Sequence, residues 1–297
     1  MRKIFVFLII LSGIFSFTGV YGQKPGTSGA EFLKLPAGAR QAGIGGTFVG
    51  IGDDVNSLFW NPGGLATLKT WGFSAMHSEW LADLRFDSFG LAIPVFGRKN
   101  VVGAMAGILS MPSWDNTGGV EPAVSAQDLY AGVAFARNVW PKIYVGGAVK
   151  YIRRKLADFA AGAIAFDIGA IYKYSDWLTF GGSAQNYGGR IKFIKNAASL
   201  PFVLRGGASI RPFFGKPFDI IFAADGIYYL NEDIRQICLG SELNLFHLLN
   251  IRAGYRIDKT LLSMSSGLGI KYGMFNLDYA YNPFEKKISG FFHALST

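Results

Sequence analysis

The sequence has little cysteine, histidine or charge. Its single cysteine, Cys238, cannot form an internal disulfide, which excludes a disulfide-stabilised scaffold. The three histidines, His77, His247 and His293, are too scattered to indicate a zinc site, so we expect neither a metal nor a cofactor. Charged residues make up only 16% of the chain while half of it is hydrophobic, which excludes an intrinsically disordered protein.

Long hydrophobic runs are also missing beyond residue 22. The longest uncharged stretch, Asn100–Trp114, is shorter than the ~18 residues of a membrane-spanning helix and is interrupted by glycine and proline. No basic block accompanies the formal net charge of +9, so nucleic-acid binding is not indicated. Glycine, in contrast, is abundant, with 39 of 297 residues and no collagen-like period.

The first 22 residues have the features of a secretory signal peptide. Arg2 and Lys3 form a positive region, Ile4–Phe17 is almost wholly apolar, and Val20–Gly22 is a suitable cleavage site. Cleavage there makes Gln23 the first mature residue. A membrane anchor is the alternative interpretation, but an exported protein is favoured.

Apolar residues alternate with polar or small ones from Trp71 onward, which is the pattern of β-strands with one apolar face. In Leu249–Asp258 every odd position is apolar, whereas the even positions carry asparagine, arginine, glycine and aspartate. In Ile164–Tyr174 the even positions are apolar or aromatic and oppose Asp167 and Lys173.

Fourteen such segments follow one another, each about 9–13 residues long, the length of a tilted membrane strand. They predict an all-β fold, a 14-stranded antiparallel transmembrane β-barrel over residues 71–297, surrounded by lipid in the bacterial outer membrane. A soluble β-sandwich is the alternative, but its strands are usually only about 5–6 residues long. The segments begin near residues 71, 86, 101, 127, 143, 161, 177, 201, 218, 234, 249, 262, 274 and 287.

The connections and the tryptophans support a barrel. The two longest connections, about Pro112–Ala126 and Gly188–Leu200, follow odd-numbered strands and are therefore predicted to be extracellular. Connections after even-numbered strands are short. Indole favours the level of the lipid headgroups, and tryptophans lie near the predicted strand ends at Trp71, Trp80, Trp114, Trp140 and Trp177.

The inward strand faces carry many small residues and few charges, which predicts a narrow or filled lumen and disfavours an open aqueous pore. Pairing across neighbouring strands is the favoured interpretation of these charges, particularly for Arg252, Lys271 and Asp278 on consecutive strands. A selectivity filter is the alternative. The charges predicted to face the lumen are Asp167, Arg205, Arg252, Arg256, Lys271 and Asp278.

Residues 23–70 lack the strand alternation and are predicted to form a short N-terminal hatch that plugs the barrel. Their first part, Gln23–Gly29, is polar. Further on, a pair of aspartates introduces a predicted short helix, Asp54–Phe59, which the Asn61-Pro62 pair should end. A short amphipathic piece of this kind suits the mouth of a barrel.

Two motifs lie within this segment, G-A-R-x-A-G-x-G-G at Gly38–Gly46 and D-D-x-N-S-L-F-W-N-P at Asp53–Pro62. Together with Arg252–Tyr255, Gly267–Ile270 and Leu277–Tyr281 near the C-terminus, they resemble the PorV/PorQ family of outer-membrane proteins. The hatch residues that carry the resemblance are Gly38, Ala39, Arg40, Gly43, Gly45, Gly46, Asp53, Asp54, Asn56, Phe59, Trp60, Asn61 and Pro62.

The chain departs from the family pattern in two places. Gly63 stands where relatives often have alanine, and the C-terminal Leu295–Thr297 lacks the terminal aromatic residue common in outer-membrane proteins.

The resemblance implies a barrel related to the fatty-acid transporter FadL, with fourteen strands and an N-terminal hatch. Some PorV/PorQ members serve the type IX secretion system, which implies secreted proteins with C-terminal signal domains, or other secretion-system components, as partners. The relation to FadL implies the alternative, transport of hydrophobic small molecules. A structural barrel without transport is the third hypothesis. Side chains expected to line or support a hydrophobic path are Phe32, Leu35, Phe48, Phe59 and Trp60.

No catalytic pattern is found in the sequence, and we predict that the protein is not an enzyme. It contains neither G-x-S-x-G nor H-E-x-x-H, and Gly43–Gly46 lacks the spacing and βαβ context of a nucleotide-binding loop. A barrel lipase that uses His77 and His293, on the first and last strands, is a weaker alternative than histidines with a packing role. Asp225 is interpreted as a turn or lumen residue.

Overall fold

The computed structural model describes residues 28–80, 83–97, 99–114, 124–192, 197–213, 217–258, 262–284 and 288–296. The predicted signal peptide, residues 1–22, lies outside these ranges. Within them, none of the helices combines the length and the apolar character needed to cross a membrane.

Antiparallel strands make up most of the described chain. They are β1 (Gly72–Glu79), β2 (Arg85–Val95), β3 (Asn100–Trp114), β4 (Val124–Trp140), β5 (Ile143–Leu156), β6 (Phe159–Ser175), β7 (Leu178–Gly188), β8 (Arg190–Lys192), β9 (Ala197–Ser199), β10 (Val203–Phe213), β11 (Phe218–Tyr229), β12 (Ile234–Leu245), β13 (Leu249–Ile257), β14 (Leu262–Tyr272), β15 (Phe275–Phe284) and β16 (Ile288–Ser296).

Fourteen of these strands close into one barrel. Each pairs with its sequence neighbours, β7 pairs with β10, and β1 pairs with both β2 and β16, so the sheet has no free edge. The remaining two strands, β8 and β9, form a separate hairpin in the connection between β7 and β10.

The barrel confirms the fold predicted from the sequence, since every barrel strand begins within three residues of its predicted start. The largest difference is at β4, which begins at Val124 and was expected near residue 127. The alternation does not predict the β8–β9 hairpin, because strands of three residues are too short to show a period of two.

Side chains along each strand alternate between the outer wall and the lumen. On β6, Ile168 is 65% exposed on the outer wall, whereas its neighbour Asp167 is 1% exposed and faces inward. On β13, Asn250 and Arg252 are buried inside the barrel and Ile251 lies outside. The outer wall is therefore apolar, as a surface in contact with hydrocarbon requires.

The two ends of the barrel differ in their connections. At one end they are the short segments 96–99, 141–142, 176–177, 214–217, 246–248 and 273–274, whereas the opposite end has the longer 115–123 and 189–202. Outer-membrane barrels have short periplasmic turns and longer extracellular loops. The end with the long connections is accordingly treated as the cell-surface end.

Both long connections differ in detail from the prediction. β3 continues through Pro112 to Trp114, with an irregularity in its pairing with β4, so the first connection shrinks to residues 115–123, outside the described ranges. The second, predicted over Gly188–Leu200, contains the β8–β9 hairpin and ends at Phe202.

Residues 28–70, termed the hatch, lie inside the barrel. They contain two short α-helices, Ala39–Gly43 and Ser57–Trp60, and two 3-10 helices, Glu31–Lys34 and Pro62–Thr67. The second α-helix is shorter than the predicted Asp54–Phe59 and is followed directly by Asn61-Pro62.

The hatch crosses the lumen from one end to the other. Near the cell-surface end, the Gly29 N–H donates to the Ser199 carbonyl of β9 over 2.7 Å. At the opposite end the chain leaves the lumen at Trp71 and enters β1. Between these points Ile44, Phe48 and Leu58 are fully buried, so side chains of the hatch fill the lumen.

Candidate functional site

Arg40 connects the two motifs of the hatch to each other and to the barrel wall. Its Nη1 lies 2.6 Å from Asp53 Oδ1 and 2.9 Å from Asp54 Oδ2, which joins the first motif to the second. Its Nε lies 2.8 Å from Oε2 of Glu242, an inward residue of β12. One largely buried guanidinium of the first motif thus binds two carboxylates of the second motif and one of a wall strand.

The ion-pair network continues along the wall. Arg252 Nε on β13 lies 2.6 Å from the same Glu242 Oε2, and Arg252 Nη1 lies 2.6 Å from Asp278 Oδ1 on β15. Lys271, on the intervening β14, is exposed near the periplasmic end and makes no ion pair with any described residue. The structure therefore joins Arg252 and Asp278 but does not include Lys271 in the predicted three-residue network.

The two hatch aspartates have pKa values shifted in opposite directions. Burial raises the pKa of Asp54, and this effect outweighs the attraction of Arg40. Burial acts in the same direction on Asp53, but the positive charges of Arg40 and Arg211 overcome it and hold the pKa of Asp53 well below its usual range. Asp53 therefore stays ionised at neutral pH and binds Arg40 together with Arg211 of β10.

The glycines of the first motif let the hatch lie directly against wall strands. A Cβ on Gly43 would come 3.1 Å from Gly267 Cα on β14, and one on Gly45 would come 2.9 Å from Tyr255 N on β13. Gly45 and Gly46 also have positive φ values of 72° and 80°, which residues with a Cβ rarely adopt.

The remaining residues of the first motif start its helix. Gly38 precedes the helix and its N–H donates to Met76 Sδ of β1 over 3.0 Å, while Ala39 is buried at the first helical position. The glycine run, together with this helix start, explains why the motif needs small residues at fixed spacings.

The second motif is anchored through Asn61. Its Nδ2 donates to the Val49 carbonyl in the hatch over 2.9 Å and to the Ala170 carbonyl of β6 over 3.0 Å. The next residue, Pro62, packs so closely on β5 that a Cβ on Gly146 would overlap its carbonyl oxygen. Asn56 is buried before the helix, and its N–H donates to Asp54 Oδ1 over 2.8 Å.

Asp225 of β11 is a third anchor of the hatch. Its Oδ2 accepts hydrogen bonds from the backbone N–H groups of Phe48, at 2.7 Å, and Val49, at 2.9 Å. The side chain is 1% exposed and faces the lumen. The sequence placed Asp225 in a turn or in the lumen but gave no signal that it binds the hatch backbone.

A small cavity separates the hatch from the wall towards the cell-surface end. Its volume is about 30 Å³, and it is partly open. Apolar side chains of Phe59, Trp60 and Met105 meet polar groups of the wall there. The lining residues are Leu33, Lys34, Leu35, Ala37, Phe59, Trp60, Met105, Tyr130, Lys150, Gln185, Asn186 and Arg205.

Lys150 and its partners form one polar side of the cavity. Lys150 Nζ lies 2.8 Å from Asp167 Oδ2 and 2.5 Å from Asn186 Oδ1, to which it donates. The Asn186 N–H in turn donates to Asp167 Oδ1 over 2.7 Å, at an irregularity in the pairing of β6 with β7. The positive charge of Lys150 is therefore paired with a carboxylate.

Arg205 forms another polar side of the cavity. Its Cζ lies 4.8 Å from the Trp60 ring centroid, and its Nε donates to Gln185 Oε1 over 3.0 Å. Trp60 Nε1 donates to the Ala37 carbonyl over 2.8 Å, which fixes the indole under the guanidinium.

The six predicted lumen charges thus lie in different places. Asp167 and Arg205 lie at or beside the cavity, and Arg252 and Asp278 belong to the hatch network. Arg256 lies beside the hatch, where a Cβ on Gly46 would come 3.1 Å from its Nη2. Glu242, Lys150 and Asn186 complete these groups and are not predicted from the sequence.

The histidines considered for catalysis have other surroundings. His77 is 44% exposed and its Nδ1 lies 2.7 Å from Asp87 Oδ1, on the outward face of β1 and β2. The side chain of His293 lies outside the described residues. No group of metal-binding side chains is found in the described part of the chain.

Several solved structures share this architecture. The Ralstonia pickettii toluene transporter TbuX superposes with a TM-score of 0.65 at 12% identity, over 88% of this chain and 98% of that chain. The Pseudomonas putida toluene transporter TodX gives 0.64 at 13% identity, over 88% and 97%. A Pseudomonas aeruginosa FadL homologue gives 0.58 at 11% identity, over 88% and 98%.

The chain has a FadL-type barrel fold. No family model and no curated protein matches the sequence, so membership of the PorV/PorQ family remains a prediction from the motifs. The closed fourteen-strand barrel with its apolar outer wall is an outer-membrane architecture, which confirms the predicted location. The toluene transporters TbuX and TodX and the monoaromatic hydrocarbon channel CymD share this fold.

Proposed function

We propose that the protein transports hydrophobic small molecules across the outer membrane. The observation that carries this proposal is the cavity between hatch and wall, in which Leu33, Leu35 and Phe59 face Met105 and polar wall residues. Binding sites for small molecules typically combine apolar walls with a few polar groups. The fold shared with two toluene transporters supports the same class of substrate.

The cavity is too small to hold such a molecule without a rearrangement. Its volume is about 30 Å³, whereas a cavity that binds benzene has about 150 Å³. A ligand of this size must therefore displace the hatch side chains that cover the cavity. Leu33, Leu35 and Phe59 are only partly buried, so they can move at a lower cost than the fully buried Leu58.

The PorV/PorQ resemblance implied a protein-binding role in type IX secretion. That role receives no support from the structural neighbours, which include two toluene transporters and a monoaromatic hydrocarbon channel. Transport of hydrophobic small molecules is therefore favoured over the handling of secreted proteins.

Filling the cavity tests the proposal. Ala37 is buried at the cavity, so Ala37→Leu should occupy space that the ligand needs. Ala131 lies on the outer wall of β4, and Ala131→Leu makes the same chemical change in contact with lipid. We expect uptake of labelled toluene, by cells that depend on this barrel for entry, to fall several-fold with Ala37→Leu and to stay unchanged with Ala131→Leu.

As controls, the amount of each variant in the outer membrane and the heat resistance of its folded barrel are measured. The proposal would be overturned if cells with the unaltered barrel took up no more labelled toluene than cells without it. Equal uptake by the two folded variants would show that the cavity is not on the path.

A further inference from the structure

Four basic side chains lie on the outside of the protein close to the cell-surface end, two on the barrel strand β5 and two on the hairpin strand β8. On β5, Ile152 is fully buried and faces inward, so Arg153 and Lys155 face outward, where both are exposed. On β8, Ile191 is buried, and the exposed Arg190 and Lys192 on either side of it face outward. These four residues are termed the basic patch.

The two halves of the basic patch flank a strand of small residues. Arg153 is paired in register with Gly162 of β6, and Lys155 with Ala160. β8 follows the opposite side of β6, because the Gly189 N–H that leads into it donates to the Ile164 carbonyl over 2.9 Å. Neighbouring strands lie about 4.8 Å apart, so the two halves are separated by roughly 10 Å.

No carboxylate among the described residues forms an ion pair with the basic patch. Arg190 Nη2 donates to the backbone carbonyl of Ala197, and Asp158, in the turn after β5, is not within ion-pair distance of these side chains. The wall at β1 and β2 is different, because Glu79 and Asp87 are interspersed there with His77. Among the described residues, the sector formed by β5, β6 and β8 thus carries four exposed cations that form no ion pair with a carboxylate.

A broad apolar surface lies directly below the basic patch, towards the middle of the barrel. Tyr151 is 53% exposed, Ile164 52% and Phe166 49%, all on the same outward faces of β5 and β6. A lipid with acyl chains and an anionic headgroup matches this order, because its chains meet the apolar surface while its headgroup reaches the cations above.

We propose that the basic patch binds the phosphorylated glycolipid of the outer leaflet, with its phosphates held between Arg153, Lys155, Arg190 and Lys192. The outer leaflet is the layer that these residues reach at the cell-surface end. Phosphate is favoured as the headgroup anion because arginine and lysine both bind its oxygens by charge-assisted hydrogen bonds.

The test measures binding of lipid A with both phosphates to the full-length barrel, delipidated in mild detergent. The variant carries R153Q, K155Q, R190Q and K192Q together, and native mass spectrometry quantifies the bound lipid. A control variant carries Arg137→Gln, which removes an exposed cation from the outer wall near the other end of β4. Dephosphorylated lipid A is the ligand control.

We expect the fourfold variant to bind lipid A on the order of tenfold more weakly, since each exposed charge pair contributes modestly. The Arg137→Gln control should bind as the unaltered barrel does, and dephosphorylated lipid A should not distinguish the proteins. Unchanged affinity in the fourfold variant, with its heat-resistant barrel intact, would overturn the proposal, as would an equal loss in the control. Binding of dephosphorylated lipid A as strong as that of lipid A would also overturn it.

Discussion

Asp225 shows how a single inward carboxylate can order a segment that has little regular structure of its own. It accepts two backbone hydrogen bonds, from Phe48 and Val49, at a point where the hatch has neither helix nor strand. Buried N–H groups without an acceptor are costly, so these two depend on the carboxylate. The hatch is therefore held by groups on the wall more than by its short helices.

Replacing Asp225 should loosen the hatch without opening the barrel. Asp225→Ala leaves two buried N–H groups unpaired, at a cost of about 1–3 kcal/mol each. We expect amide hydrogen exchange in residues 44–50 to accelerate at least tenfold, while Asp225→Asn, which keeps an acceptor oxygen, has a smaller effect. Exchange in the alanine variant as slow as in the unaltered protein would contradict this account.

At the residue scale, the sequence predicts which way a side chain faces but not what it meets. The alternation along β13 and β15 indicates that Arg252 and Asp278 face inward, and the structure pairs them over 2.6 Å. Arg40 and Glu242 are 202 residues apart, and a period of two carries no information about such a contact. Lys271 faces the same way as Arg252 and Asp278 but lies too near the barrel end to join them.

At the scale of elements, glycine residues allow the hatch backbone to pack directly against the wall strands. The wall strands carry glycine where the hatch backbone touches them, so that a Cβ on Gly181 of β7 would overlap the Val49 carbonyl oxygen. Gly206 of β10 has no heavy atom within 4 Å of such a Cβ. The close contacts between the hatch backbone and the wall strands thus explain part of the abundance of glycine in the sequence.

The two glycines provide a matched pair of substitutions. Gly181→Ala should force the hatch or β7 to move and cost about 1–3 kcal/mol, as overpacking usually does. Gly206→Ala makes the same change in open space and should be nearly neutral. The temperature at which the folded barrel loses its fast migration on a gel measures both, and equal temperatures for the two variants would contradict the fit described here.

The elements themselves differ in how well the sequence predicts them. Membrane strands such as β6 and β13 are long and have one face in lipid, so their alternation is visible in the sequence. Most of the hatch is enclosed by the barrel and has no lipid-facing side, so its sequence shows no periodic pattern, and its path is not predictable beyond its position before β1. The hairpin β8–β9 was missed for the related reason that three residues cannot show a period.

At the scale of the whole molecule, the structure is a barrel whose lumen is filled by its own N-terminal segment. Lys34 pairs with Glu232 near the cell-surface end. Arg40 pairs with Glu242 on the other side of the cavity, towards the periplasmic end. Transport through such a barrel requires part of the hatch to move. The segment between Gly29 and Ala37 is the natural candidate, because its residues cover the cavity.

A crosslink between this segment and the hairpin tests that claim. A Cβ on Gly29 would lie 3.1 Å from Ala198 Cβ. This is about 0.7 Å below the mean Cβ–Cβ distance of ~3.8 Å in disulfides, so a small shift of the backbone would bring the two positions into range. The variant Gly29→Cys with Ala198→Cys, made with Cys238→Ala to remove the native thiol, can therefore be closed by oxidation and opened by a reductant.

The most direct measurement is uptake of labelled toluene by cells that carry this double-cysteine barrel, before and after reduction. We predict low uptake when the crosslink is closed and restored uptake when it is reduced, with no effect of reductant on either single-cysteine variant. Uptake through a fully crosslinked barrel that equals uptake through the reduced one would contradict transport by movement of the hatch.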